Sequence, residues 1–283
     1  MNKSDKTHEF GGDWTSLKLA ALEGYLQAFS TALSNQTWCK GLVYIDAFSG
    51  TGQCDITTTD GEIKQIDGSA KIALDTTPIF NHVYLIDIKK KHIKALQALR
   101  LNYPSRHCEI HYEDSNVIVP EILNKLSKNH RGVIFVDPYG MHFNWDTLSK
   151  VAASEIFDVW YLFPLSGFFR NATKSEADME AVKDEAINRL LGDPTWKESL
   201  YRAPVIQDMF DVDPRERGDW KELRDYATNR LKEIFPLVLE PRIIYTNKNK
   251  IPKFALYFAV GNKSYQAQNV AKKIADHILG KMG

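Results

Sequence analysis

The sequence predicts an α/β protein built on a parallel, doubly wound sheet with helices on both faces. Three observations lead there. Short apolar runs at 42–48, 82–88, 108–112, 132–136 and 157–162 are closed by turn residues and read as buried strands. Stretches of helical periodicity separate these runs, the alternation that gives a parallel sheet. The 283 residues suit one large domain, or one domain with a sizeable insertion.

Residues 1–12 are polar and read as loosely ordered. From 13 to 35, Trp14, Leu17, Ala21, Leu22, Tyr25, Leu26, Phe29 and Leu33 form one apolar stripe of a helix, with Asp13 as its N-cap. The strand at 42–48 runs into Ser49-Gly50-Thr51-Gly52, a turn whose glycines let backbone approach a ligand. β-branched runs at 56–59 and 62–66 flank Asp60-Gly61 and signal a hairpin, which delays the next helix to 69–75. A helix over 90–102 follows the second strand and stops at Pro104. Helices over 117–129 and from about Asn144 follow the third and fourth strands, and the fifth strand ends at Phe163-Pro164.

The chain then changes character. Residues 173–235 are helical in pattern, polar and acidic, punctuated by Pro194, Pro204 and Pro214. Strands at 241–246 and 254–260 form an antiparallel pair, and a helix over 265–279 closes the chain. The expected organisation is a core over 1–172, a helical insertion over 173–240, and final elements over 241–283 that complete the core.

Composition narrows the function classes. The hydrophobic share of 43% and charged share of 25% are those of an ordinary globular protein. Net charge is zero, so there is no global electrostatic footprint for nucleic acid. The blocks 89–131 and 242–281 are locally basic and are candidate phosphate contacts. Cys39, Cys54 and Cys108 form no C-x-x-C pair, which argues for thiols in a reducing compartment. No apolar stretch reaches membrane-spanning length and the N-terminus is not signal-like, so a cytoplasmic protein is expected. No metal is expected, since the histidines, His142 included, lack ligand spacing.

Asp46, Asp87, Asp114 and Asp137 fall at or just after the ends of four successive strands, where parallel sheets bind ligands. Each alone would read as a helix cap or turn former; four in register point to a site. A nicotinamide fingerprint fits poorly, because Asp55 stands where its third glycine belongs and Asp87 lies too far along. S-adenosylmethionine (SAM) fits better. An acid beside the glycine turn suits its sulfonium and α-ammonium, a second-strand carboxylate its ribose diol, and a third-strand acceptor its adenine.

D-x-x-x-G-x-G after the first strand, acids closing the next two and D-P-Y after the fourth resemble a class I SAM-dependent methyltransferase. More closely, YIDAFSGTGQ, GSAKIAL, VIFVDPYGMHFNW and FALYFAVGN resemble the three-Cys-motif partner protein (TcmP) family from about Trp14 to the C-terminus. The resemblance implies a Rossmann-like class I methyltransferase fold with a mostly parallel sheet, a C-terminal antiparallel strand pair and a helical insertion. It also implies a neighbouring three-cysteine partner protein, and it gives the cysteines of this chain no role. By it, Asp46, Gly50 and Gly52 lie under the methionine portion, Asp87 holds the ribose and Asp114 approaches the adenine, with Phe48, Ser49, Ile88 and Ser115 as further cofactor-binding candidates.

Asp137-Pro138-Tyr139 is the candidate catalytic turn. Enzymes that methylate exocyclic amino groups of nucleobases carry a related [D/N/S]-P-P-[Y/F/W] turn. Its acid and a backbone carbonyl accept from the amino group, and its aromatic ring stacks on the base for roughly 1–3 kcal/mol. Here one proline is missing and Tyr139 comes one position early, so stacking on a base and packing on the insertion both stay open for it. Arg170 follows the fifth strand as a candidate contact for a substrate phosphate or carboxylate, or as a structural arginine. The sequence thus predicts a methyltransferase acting on RNA or DNA. The alternative is a SAM-binding, catalytically inert adaptor working with a partner protein.

Overall fold

The structure is a computed structural model that describes residues 13–57, 61–202, 215–245 and 252–281. The N-terminal stretch 1–12, the hairpin tip at 58–60, the segment carrying Pro204 and Pro214, and most of the link between the last two strands lie outside the described residues.

Helix α1 (Asp13–Leu33) leads into β1 (Gly41–Asp46). The hairpin β2 (Gln53–Thr57) and β3 (Ile63–Asp67) precedes α2 (Ser69–Asp75). Then come β4 (His82–Asp87), α3 (Lys90–Arg100), β5 (Cys108–Tyr112), α4 (Ser115–Lys125), β6 (His130–Val136), α5 (Trp145–Ser154) and β7 (Phe157–Phe163). Helix α4 starts two residues earlier than the periodicity predicts, because the Asp114 side chain accepts from the Asn116 backbone N–H and caps it. The same helix stops at Lys125, where Leu126 turns extended.

Helix α6 (Leu165–Asn171) follows β7 directly and is not visible as a periodic pattern. The segment expected to be largely helical holds α7 (Ala181–Leu191), α8 (Trp196–Leu200) and α9 (Trp220–Ile234). It also holds a small antiparallel ladder, β8 (Tyr201–Arg202) with β9 (Glu216–Arg217), that no pattern in the sequence predicts. The chain ends with β10 (Leu237–Val238), β11 (Arg242–Tyr245), β12 (Pro252–Val260) and α10 (Tyr265–Gly280).

The main sheet has the order β10-β12-β7-β6-β1-β4-β5, with β11 also paired to β12. Neighbours from β5 through β7 are parallel, while β12 runs antiparallel to β7 with Ala255 opposite Phe163. Since β7 takes one edge of β12, β10 and β11 share the other. This is a Rossmann-like arrangement, a mostly parallel sheet with an antiparallel C-terminal end. Successive side chains go to opposite faces. Tyr257 and Ala259 join a core with α4, α5, α7 and α9, while Leu256, Phe258 and Val260 join one with α1, α2, α3 and α10.

The sheet centre leaves no spare volume. A Cβ on Gly132 in β6 would sit 2.5 Å from the Phe157 ring and 2.7 Å from the Val43 carbonyl oxygen. The ring can move; the backbone of β1 cannot without breaking its pairing. Gly132→Ala is therefore expected to destabilise the protein by about 2 kcal/mol, read as a lower midpoint in urea with the slope unchanged.

Candidate functional site

The chain runs from β1 outward to β4 and β5, then returns to lay β6 on the other side of β1. The crevice outside the carboxyl ends of β1 and β6 is the topological switch point, where doubly wound sheets bind ligands. A cavity of about 540 Å³ opens there. That is within the range of small-molecule sites, roughly 300–1,000 Å³.

One wall is the glycine turn after β1, and it is stitched to its neighbours. Ala47 N–H donates to the Phe135 carbonyl at 3.0 Å, and Ser49 N–H to the Ile86 carbonyl at 3.0 Å. The Ser49 hydroxyl accepts from Ile86 N–H at 3.0 Å and donates to the Asp46 carbonyl at 3.1 Å. Gly50 N–H donates to Asp87 at 3.0 Å, and the Gly52 carbonyl accepts from Gly68 N–H at 2.9 Å. Gly50 and Gly52 hold φ of 62° and 80°, and a Cβ on Gly52 would lie 2.6 Å from Leu99. Those backbone angles explain the glycines at this bend.

Asp46 closes β1 beneath this turn and is fully buried. Its oxygens accept from Phe48 N–H and the Tyr44 hydroxyl, both at 3.3 Å. Burial pushes its carboxyl up to about 7, against the lowering effect of hydrogen bonds from Ser69 and Phe48. Asp87 is buried and has both oxygens in use, one accepting from Lys89 N–H at 2.8 Å, the other from Gly50 N–H, with His92 Nδ1 at 2.9 Å. Ile88 is exposed, Asp114 is the exposed cap of α4, and the buried Ser115 hydroxyl donates to the Ala47 carbonyl. None of these last three lines the cavity.

Asp137-Pro138-Tyr139-Gly140, which follows β6, also lines the cavity. Asp137 is ion-paired to Lys18 of α1, itself only 7% exposed. The second Asp137 oxygen accepts nothing from the described residues. Lys89 holds its ammonium 3.8 Å from the centre of the Tyr139 ring, and the His92 ring lies 6.4 Å away. Burial first, then the Asp87 and Asp137 charges, raise the Tyr139 phenol and keep it protonated.

The structure thus brings Phe48, Ser49, Gly50, Asp137, Pro138, Tyr139 and Arg170 around one cavity, with Asp46 and Asp87 just behind its walls. It also adds residues that carried no such signal. Trp14 and Lys18, for which the sequence favours packing over a place near a ligand, both line the cavity, as do Ser69, His92, Lys253 and Phe254. Cys54 lines it too, with its thiol pushed up by burial, which disfavours the reactive thiolate. Among the described residues no helix is long and apolar enough to cross a membrane, and no cluster of side chains could hold a metal ion.

No family model matches the sequence, and no curated protein does. Solved structures are similar in shape at low identity. A Legionella pneumophila str. Philadelphia 1 protein of the family model DUF519 is 12% identical, over 93% of this chain and 92% of that one, with a TM-score of 0.49. Human methyltransferase-like protein 13 in complex with SAH is 13% identical, over 95% and 90%, at 0.42. A putative methyltransferase from Streptococcus mutans in complex with SAH is 9% identical, over 84% and 96%, at 0.35.

Proposed function

We propose that the chain is a SAM-dependent methyltransferase acting on an exocyclic amino group of a nucleobase in RNA or DNA. The observation that carries this is the pairing of two walls. A glycine turn backed by a buried acid and an Asp-Pro-Tyr turn line one cavity at the switch point of the sheet.

The residues present fit the cofactor. The bend at Gly50 brings backbone rather than side chains to the cavity, and Asp46 beneath it favours a cation above. When bound, the cofactor supplies an electrophilic methyl group on a sulfonium. The chain supplies position. Asp137 keeps one oxygen on Lys18 and offers the other to a substrate amino group. Accepting that hydrogen bond aims the nitrogen lone pair at the reacting carbon, and alignment of this kind is the main requirement for the transfer. Phe48, Pro138 and Tyr139 form the apolar surround that limits water.

The Lys18–Asp137 pair also supports a second reading, a SAM-binding adaptor that works with a partner such as a three-Cys-motif protein. In that reading Lys18 occupies Asp137 permanently. Incubation with methyl-labelled SAM and total RNA or DNA, followed by nucleoside analysis, separates the two. Label in an amino-methylated nucleoside is the expected result. Tight SAH binding with no label in either pool would favour the adaptor.

A further inference from the structure

Beyond Asp137 the cavity turns positive and aromatic. The Lys18 and Lys253 ammonium groups lie 4.6 and 4.8 Å from the centre of the Trp14 ring. Lys253 is also 5.5 Å from the Phe254 ring, and the two rings are 5.6 Å apart. Arg170, from α6, also lines the cavity. These residues come from α1, α6 and the start of β12, gathered at the top of β7 by its antiparallel pairing with β12.

The charges do not balance. Lys18 is paired with Asp137, but among the described residues Lys253 and Arg170 have no carboxylate partner. The other acid on the wall, Asp55, is exposed and accepts from Gln65 Nε2 at 3.4 Å. Burial and the Lys18 and Arg170 charges hold the Lys253 ammonium below its ordinary range, with Asp137 opposing them. Cations gathered at a cavity, Lys253 half-buried and Arg170 exposed, are stabilised by an incoming anion, through charge-assisted hydrogen bonds and reduced mutual repulsion.

We propose that Lys253 and Arg170 hold a phosphate group of the methyl acceptor, with the Trp14–Phe254 pair as the apolar wall beside it. The acceptor is then a nucleotide unit, not a free base or nucleoside. This rests on the methyltransferase reading above and specifies its substrate. The carboxylate of the cofactor is the competing source of the same negative charge, and the experiment distinguishes the two.

Binding of fluorescein-labelled single-stranded RNA and DNA, about 12 nucleotides long, is measured by anisotropy with SAH present, at low and moderate salt. Nucleoside monophosphates serve as competitors, and SAH affinity is measured separately by calorimetry. The K253A/R170A protein is expected to bind oligonucleotide about 10-fold or more weakly. Its log–log salt slope should shrink by about 0.7 for each phosphate that is no longer neutralised. K253R/R170K keeps both charges and should retain most of the affinity, which separates charge from folding. SAH affinity should be unchanged in both variants.

Competition by mononucleotides, sensitive to K253A/R170A, would support the phosphate site for a small acceptor even if oligonucleotides bind weakly. Oligonucleotide and mononucleotide binding indifferent to K253A/R170A would overturn the proposal. So would loss of SAH affinity in K253A/R170A, since the anion would then be the cofactor's carboxylate. Wild-type protein that binds SAH but no phosphate-bearing ligand also overturns it while leaving the cofactor reading intact. Failure to bind SAH overturns the cofactor reading and with it the identification of the ligand as a methyl acceptor, while the phosphate arms still decide whether Lys253 and Arg170 hold a phosphate.

Discussion

Replacing Asp137 with asparagine is expected to cut label transfer by roughly 10²–10³-fold while leaving SAH affinity within a small factor of wild type. The carboxylate lines the cavity, and in the proposed reading its free oxygen meets the acceptor's amino group rather than the cofactor. An amide keeps the shape and one acceptor oxygen, but loses the charge and the ion pair to Lys18. Asp137→Ala should be worse for stability too, because Lys18 is buried and would be left without its counter-charge. Lys18→Met with Asp137→Asn removes both charges together and separates the two effects. Recovery of stability without recovery of transfer is the expected pattern. Full transfer by Asp137→Ala, which leaves no side-chain acceptor, would sink the amino-methylation reading.

The second large effect is expected at Asp46, and it depends on pH. Burial raises its carboxyl to about 7, so near neutrality it is divided between charged and neutral forms. A cationic cofactor above the turn favours the charged form. SAM affinity should therefore rise with pH from 6 to 8, levelling off above about 7. Asp46→Asn should weaken SAM binding by about 100-fold at the high end and flatten this dependence. The sign also applies to the free protein. A carboxyl raised on folding binds its proton more tightly in the native state, so Asp46 disfavours folding as pH climbs through about 7. Calorimetry across this range checks both. An Asp46→Asn protein with wild-type affinity and an unchanged pH profile would remove Asp46 from the site.

Much of the fold was legible because its signals are local. A buried parallel strand is a short apolar run whatever it pairs with, and each run from 42 to 162 became a strand of the sheet. The hairpin announced itself through β-branched residues around a turn, and its two strands pair from Gln53–Asp67 to Thr57–Ile63. Elements that left no trace in the sequence lack a pattern of their own. Helix α6 spans seven residues, too few to show a 3.6-residue period, and β8, β9 and β10 are two-residue ladders.

The site divides the same way. The sequence alone determined the strand-end acids, the glycine bend and the Asp-Pro-Tyr turn, because each is set by backbone geometry within a few residues. Only the tertiary structure decided how these groups are used. It spent Asp114 on capping α4, closed both oxygens of Asp87 with neighbouring donors, and buried Asp46 enough to move its proton. It also brought Lys18 to Asp137 across 119 residues, and Lys253 to Trp14 from the opposite end of the chain. No periodicity encodes such meetings. They follow from which helix covers the switch point and which strand pairs with β7, and those choices are made by burial over the whole sheet.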